Sequence, residues 1–282
     1  MFLIARDRAV IALSGEDRQS FLQGLVSNDV AKATAERAIY AAFLTPQGKY
    51  LHDIFIAAAG ERLLIDCEAQ RRADLLRRLS MYKLRAKVAL GNADDLAVGL
   101  YFGGGTLEAL ALAVEPGSAR IESEGTVFVD PRLAALGARA ILPPARFPPE
   151  NAKPMDYDQL RLSLGVPDGS RDLPVEKAIL LENGFDELNA IDWNKGCYMG
   201  QELTARTRYR GLVRKRLMPV TIEGPAPAPG TPLLLGDKEA GEMRSAAGEI
   251  GLALVRLEAL GHGALVAGSA KLSPRKPDWA KF

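Results

Sequence analysis

The spacing of apolar residues changes several times along this chain. In "SGEDRQSFLQGLVSNDV", Phe21, Leu22 and Leu25 recur at helical spacing behind Ser14, a hydroxyl suited to capping. The pattern predicts a helix of about three turns ending near Asn28. The period then shortens. "IYAAFL", "LHDIFIAAA" and "LLIDC" are short apolar runs separated by the turn formers "TPQGKY" and "GER", which predicts a β-meander. Between Glu68 and Leu84 the helical period returns, with Leu75, Leu76, Leu79 and Tyr82 on one face and Arg71, Arg72, Arg77 and Arg78 on the other. "YFGGGTLEALAL" places three glycines ahead of a helical pattern. It lacks both the Gly-Lys-Ser/Thr ending of a phosphate loop and the full dinucleotide fingerprint, so it reads as a plain loop before a helix.

Proline marks two breaks. "PPARFPPENAKP" (143–154) is a connector, after which "MDYDQLRLSLGVP" returns to helix. "EGPAPAPGTP" (223–232) is the second, and beyond it "TPLLLG", "GEIGLALVR" and "ALVAGSAKLSP" give short strands with glycine corners, the pattern of a small β-barrel. The expected fold class is α+β. One α+β region spans 1–217, with an internal boundary near 143–154, and a β-barrel module follows over 218–282.

Charge and composition narrow the function classes. The 36 basic and 35 acidic residues among 282 leave a formal net charge of +1, so no global field would hold the chain on DNA or an anionic membrane. No stretch approaches the roughly 18 to 20 apolar residues of a membrane span, and the apolar start "MFLIARDRAV" is interrupted by Arg6, Asp7 and Arg8, unlike a signal peptide. A soluble, cytoplasmic protein is expected. Cys67 and Cys197, with His52 and His262, supply neither a zinc-ligand spacing nor four thiolates, so no metal site is expected within the single chain.

The basic residues are not evenly spread. Between 195 and 216, Lys195, Arg206, Arg208, Arg210, Arg214, Lys215 and Arg216 face one acid, Glu202. Cationic neighbours raise the thiolate fraction of a partly exposed cysteine, so Cys197 reads either as a reactive thiol or, like most lone cysteines, as inert packing. Cys67, closing "LLIDC", reads as buried packing. The alternation in "TARTRYRGLVRKR" predicts a strand with Arg206, Arg208 and Arg210 on one face, an arrangement that calls for an anionic ligand.

At this point the residues carry a resemblance. "KGCYMGQELTARTRYRG" resembles the K-G-C-[FY]-x-G-Q-E signature of the YgfZ-type folate-binding proteins, whose mitochondrial relatives act late in iron–sulfur cluster assembly. "FLQGLVSNDV" and "TPQGKYLHDIFI" resemble the N-terminal helix and glycine-turn hairpin shared with the aminomethyltransferase (T-protein) of glycine cleavage, and "LRLSLGVP" and "GEIGLALVR" resemble later segments. The resemblance implies an aminomethyltransferase-like ring of modules around a tetrahydrofolate pocket. It further implies a functional sulfur at Cys197, with Lys195, Gln201, Glu202 and Arg206 bordering the pocket. Where the aminomethyltransferase carries a catalytic acid before a second aspartate, this chain reads His52 and Asp53.

Each role has a plainer alternative. Arg161 suits the carboxylates of a folate tail or an i,i+3 pair with Asp158. Asn28 and Asp29 suit a pterin ring or a turn. Glu202 suits the pocket rim or simple neutralisation of the arginines. Two functions stand ahead of a third. The first is a folate-binding accessory protein for iron–sulfur assembly or repair, with assembly proteins or cluster-dependent clients such as tRNA-modifying enzymes as partners. The second is a tetrahydrofolate-dependent one-carbon transferase, against which His52 at the acid position argues. RNA binding through the arginine strand ranks last, because no aromatic platform beyond Tyr209 accompanies it.

Overall fold

The expected meander forms, as part of a larger sheet. In the computed structural model, which describes residues 1–211 and 213–282, the chain divides into two units. The first comprises Met1–Thr45, Leu51–Pro154 and Leu188–Met199, and the second Pro46–Tyr50, Met155–Glu187 and Gly200–Phe282.

The first unit carries β1 (Phe2–Ile4), β2 (Arg8–Ser14), α1 (Arg18–Gln23), β3 (Ile39–Leu44), β4 (Tyr50–Ala59), β5 (Arg62–Glu68), α2 (Arg72–Tyr82), β6 (Ala89–Asn92), β7 (Ala97–Tyr101), α3 (Thr106–Ala109), β8 (Ala119–Glu122), β9 (Gly125–Val129) and β10 (Ala138–Leu142). They make two five-stranded sheets, ordered β3-β4-β5-β2-β6 and β1-β7-β10-β9-β8. β3 is buried at every position and β4 over its first eight. Strands covered on both faces need no apolar–polar alternation, which is why these runs are continuously apolar. α2 buries Leu75 and Leu79 and keeps its arginines outward, as its periodicity predicts. α1 is shorter than expected. It stops at Gln23 because the chain beyond is captured by the sheet: Val26 bridges Phe43 and the Ser27 amide donates to the Ala42 carbonyl at 2.9 Å.

Buried charges fasten one sheet of this unit to the other. Asp66 on β5 accepts from Arg8 Nε at 2.6 Å and from Arg139 Nη2 on β10 at 2.6 Å. Asp130 accepts from Arg132 Nη2 at 2.8 Å and lies 3.6 Å from Arg139 Nη1. Burial raises the Asp130 carboxyl's pKa, but the two guanidiniums outweigh it and hold the pKa below the usual range. The three guanidiniums surround the Phe55 ring, Arg139 at 3.9 Å, Arg132 at 4.9 Å and Arg8 at 5.5 Å from its centroid.

The second unit carries α4 (Pro154–Leu164), α5 (Gly169–Asp172), α6 (Gln201–Tyr209), β11 (Lys215–Glu223), β12 (Pro232–Leu235), β13 (Lys238–Ala247), β14 (Ile250–Arg256), β15 (Leu265–Ala267) and β16 (Ala270–Pro274). The six strands close into the expected barrel, ordered β11-β14-β13-β12-β15-β16, around Met218, Val220, Leu233, Met243, Val255 and Leu272. Leu162 of α4 packs on Leu217, Leu252 and Leu254.

The strand expected over "TARTRYRGLVRKR" is not there. Residues 201–209 are helix, Lys215 begins a barrel strand, and Leu212 lies outside the described residues. Helix wins because Gly200 starts it at φ +79°, Glu202 sits in the first turn and Arg206 and Arg208 in the last, as the helix dipole favours. Glu202 also pairs with Arg206 one turn on. At 100° per residue Arg208 points away from Arg206 and Arg210, so the single arginine face, and the anion it called for, disappear.

Candidate functional site

Cys197 is exposed, and the segment bearing it is tied down on both sides. Ahead of it, Asp192 Oδ1 accepts from the backbone amides of Asn194 at 2.7 Å and Lys195 at 3.1 Å, which fixes a tight turn. The Lys195 ammonium then donates to the carbonyls of Gln23 at 2.8 Å, Val26 at 2.5 Å and Asn28 at 2.7 Å. These oxygens belong to the end of α1 and the turn after it, where helix carbonyls lack partners of their own. Burial holds the Lys195 pKa down to about 8, so the ammonium is still mostly charged at neutral pH. Behind the cysteine, Tyr198 is buried and the Met199 amide donates to the Gly24 carbonyl at 3.0 Å. Cys197 is thus displayed at the middle of a loop whose two flanks are bonded to one turn. Gly196 beside it has open space where a Cβ would lie.

Asn28 and Asp29 make the bonds of turn formers. Asn28 Nδ2 donates to the carbonyls of Tyr40 at 2.7 Å and Asn189 at 2.8 Å, and its Oδ1 accepts from the Asp29 amide at 2.8 Å. Asp29 Oδ1 accepts from Gln23 Nε2 at 2.9 Å and the Ala31 amide at 3.1 Å.

Asn28 also lines a cleft of about 490 Å³ within the first unit, together with Lys32, Arg37, Tyr40, Asp192 and Trp193. Lys32 pairs with Asp192 at 2.5 Å and Arg37 with Glu115, and both cations are about half exposed. Beneath it the buried Tyr40 hydroxyl donates to Asp53 at 2.8 Å. Burial, then the Asp53 charge, raises the phenol's pKa well above its usual value. Of these residues sequence reasoning reached only Asn28 and Asp53. The missed signal is "NAIDWNKG", where Asp192 sits two and three residues ahead of amides it can cap.

His52 and Asp53 lie on β4, the strand expected over "LHDIFIAAA". His52 is 2% exposed and bonded through Nε2 to Asp74 Oδ2 at 3.0 Å. Burial, helped by the Arg71 charge, lowers its pKa to about 4, so it is neutral at pH 7 and committed within the fold. Cys67 is 1% exposed, and burial pushes its thiol pKa up to about 12. That is an inert packing residue.

In the second unit Arg161 is 1% exposed. It donates to Asp158 Oδ1 at 2.6 Å and Asp172 Oδ2 at 2.7 Å, so the carboxylates it grips are the chain's own. Asp172 is in turn bonded by the Ser245 hydroxyl of β13. Gln201 and Glu202 begin α6 right after the cysteine loop, and Arg206 follows one turn later. Gly48, in the turn before β4, adopts φ +81°, and a Cβ there would fall 2.6 Å from the Gly200 carbonyl. Only glycine fits both demands. No group of histidine, cysteine, aspartate and glutamate able to hold a metal occurs among the described residues.

Two five-stranded sheets and a closed C-terminal barrel make an aminomethyltransferase-like fold. The glycine cleavage system aminomethyltransferase T from Bartonella henselae superposes with a TM-score of 0.79, covering 99% of this chain and 86% of that one at 13% identity. The C-terminal β-barrel domain of CAF17 matches residues 214–282. Over nearly the whole length, the chain is 34% identical to the mouse iron-sulfur cluster assembly factor IBA57, mitochondrial, covering 90% of this chain and 76% of the relative. The human protein of that name is 33% identical, with 96% and 83% covered. The chain belongs to the CAF17/IBA57 family.

Proposed function

We propose that this protein is a tetrahydrofolate-binding accessory factor of the YgfZ type that supports iron–sulfur cluster assembly or repair in target enzymes, tRNA-modifying enzymes among them. The observation that carries the reading is Cys197, exposed on a loop bonded to the α1 turn from both flanks, in a chain whose relatives are named assembly factors. A packing cysteine has no use for that display. Its partners are assembly proteins or cluster-bearing clients that bring their own thiolates or iron. The proposed compartment is the cytoplasm, where two free thiols persist.

The cleft fits a folate. About 490 Å³ lies within the range of small-molecule sites. The carboxylates of a folate tail would compete with Asp192 and Glu115 for the half-exposed Lys32 and Arg37 of its lining, Tyr40 and Trp193 offer aromatic surface, and Asn28 braces the wall. Bound tetrahydrofolate would supply a one-carbon carrier, and the chain's part is to hold it. One-carbon transfer is the second reading, favoured by the fold. The neutral, buried His52 is a poor replacement for the catalytic acid of such an enzyme.

The test is the activity of several [4Fe-4S] enzymes in cells lacking this protein, with wild type or Cys197→Ala returned. Wild type restoring activity while Cys197→Ala does not is the expected result. Cluster enzymes that stay fully active without the protein overturn the assembly role and put one-carbon transfer first. Calorimetry with tetrahydrofolate tests the cofactor separately, and no heat at millimolar ligand removes it. The same titration on alanine variants of Asp29, Arg161, Lys195, Gln201, Glu202 and Arg206 decides which of them touch the ligand.

A further inference from the structure

The end of α2, in the first unit, carries a feature that neither the cysteine loop nor the cleft uses. α2 stops at Tyr82, and the next residues form a turn in which the Lys83 amide donates to the Ser80 carbonyl at 3.2 Å and the Ala86 amide to the Lys83 carbonyl at 2.8 Å. Inside that turn Leu84 is held at φ +41° with its side chain 88% exposed. Both facts oppose leucine. A left-handed backbone disfavours any residue with a Cβ relative to glycine, and a side chain so exposed contributes almost nothing to the core. The fold by itself would be better served by glycine at this position.

Leu84 is not alone. Met81 is 60% exposed, and Tyr82 is 37% exposed with its ring edge on Phe43, centroids 6.4 Å apart. Lys83 and Arg85 flank the leucine, both exposed and without an ion pair among the described residues. No acid occurs between Leu75 and Ala93, whereas Arg77, Arg78, Lys83, Arg85 and Lys87 all do. Arg77 and Arg78 are held by Asp74 and Lys87 by Glu16, which leaves Lys83 and Arg85 as the cations turned outward. Cations at a helix C-terminus suit the dipole, but that explains neither Leu84 nor Met81.

We infer that Met81, Tyr82 and Leu84, rimmed by Lys83 and Arg85, form a docking knob for a protein partner that presents an apolar pocket edged by carboxylates. Charge complementarity selects the acidic edge, because an uncompensated positive pair repels a basic rim and gains no charge attraction from a neutral one. The projecting turn selects a pocket over a bilayer. Interfacial membrane binding relies on a continuous apolar face along an amphipathic helix, whereas here the apolar side chains are gathered at one point, Met81 and Tyr82 at the end of α2 and Leu84 in the turn after it. The inference does not depend on the folate or cluster reading.

The probe is a zero-length carbodiimide cross-linker, which joins the Lys83 amine to a carboxylate in contact with it, applied in native cell extract with the joined peptides sequenced by mass spectrometry. The protein so identified is then purified and titrated against wild type, Leu84→Gly and Lys83→Glu/Arg85→Glu. The expected result has three parts. Lys83 joins aspartate or glutamate of one partner protein. Leu84→Gly weakens binding at least tenfold while its melting temperature stays level or rises. The charge-reversed variant also weakens binding, and wild-type affinity falls with salt. The inference is overturned if Lys83 joins no other protein or joins a second copy of this chain. It is equally overturned if Leu84→Gly binds as wild type, if Leu84→Gly melts lower and so shows a structural leucine, or if wild type cosediments with phosphatidylserine vesicles through Lys83 and Arg85.

Discussion

Replacing Lys195 with methionine keeps the length of the stem and deletes the ammonium that joins three carbonyls of the α1 turn. A hydrogen bond to a charged donor contributes roughly 1.5–3 kcal/mol, and a buried acceptor left dry costs roughly 1–3 kcal/mol. Val26 and Asn28 are buried, at 0% and 7% exposure, so their oxygens are left dry and only that of Gln23 can recruit water. Methionine is also relieved of the burial cost that lowers the Lys195 pKa to about 8. Two dry carbonyls cost about 4 kcal/mol and the relieved burial of the ammonium returns about half of that, a net loss of about 2 kcal/mol. For a chain of 282 residues that lowers the melting temperature by about 3–4 °C. A drop of that size would follow from many substitutions, so the deciding readout is local. Hydrogen exchange at the Met199 amide, which donates to Gly24 on the far side of the cysteine, should accelerate by tenfold or more, while amides in β3 and β4 keep their protection. Cys197 alkylation should be unchanged in extent, since the thiol is exposed already. If Met199 keeps its protection in Lys195→Met, the two flanks are independent and the clamp reasoning fails.

Cys197→Ser should leave the melting temperature within about 1 °C and abolish rescue of cluster enzymes, whereas Cys67→Ser, at a buried position bonded weakly to the Ala9 carbonyl, should cost about 1 kcal/mol and keep function; equal rescue by both refutes the distinction. His52 titrates near 4 when folded and near 6.5 when unfolded, so between those values the unfolded chain holds more protons. Stability therefore rises with pH across that window and is lost as the pH falls, by about 3 kcal/mol in all. Urea unfolding at pH 4.5 and 6.5 should show this slope flattened in His52→Gln. Asp66→Asn leaves Arg8 and Arg139 buried against a neutral amide and should cost about 3–5 kcal/mol by urea unfolding; a loss under 1 kcal/mol would mean the network is dispensable.

What the sequence made legible follows from local rules. The meander, α2 and α4 are set by period and by proline and glycine breaks, and each formed where the pattern placed it; the barrel also formed, but its first strand, Lys215–Glu223, lies ahead of the proline break and begins before the expected boundary at 218. Local rules failed where tertiary contacts decide. α1 carries helical spacing through Leu25, yet Val26 bridges Phe43 and the helix ends early. "TARTRYR" alternates like a strand, yet capping by Gly200, the Glu202–Arg206 pair and burial of Thr204 and Thr207 on one side make it helix. Arg8 read as a charge breaking an apolar start, and Asp66 drew no reading at all within the apolar run "LLIDC". Both are halves of one buried ion pair 58 positions apart, which no window of neighbouring residues can reveal.

The candidate site divides along the same line. "KGCYMGQE" marks the loop from the sequence alone, but a string of letters cannot say what its lysine does. Lys195 looked like part of a cationic patch acting on the thiol. In the fold it is spent on three carbonyls, and the arginines that seemed to crowd Cys197 belong to the helix and strand that follow. The signature is therefore a mechanical device as much as a chemical one. Asp192 sets the turn, Lys195 and Met199 bind the loop to the end of α1, and the sulfur between them meets solvent in a fixed place. A thiol that must meet a partner's cluster or electrophile gains most from such fixing, because each unconstrained torsion would have to be frozen at the moment of contact.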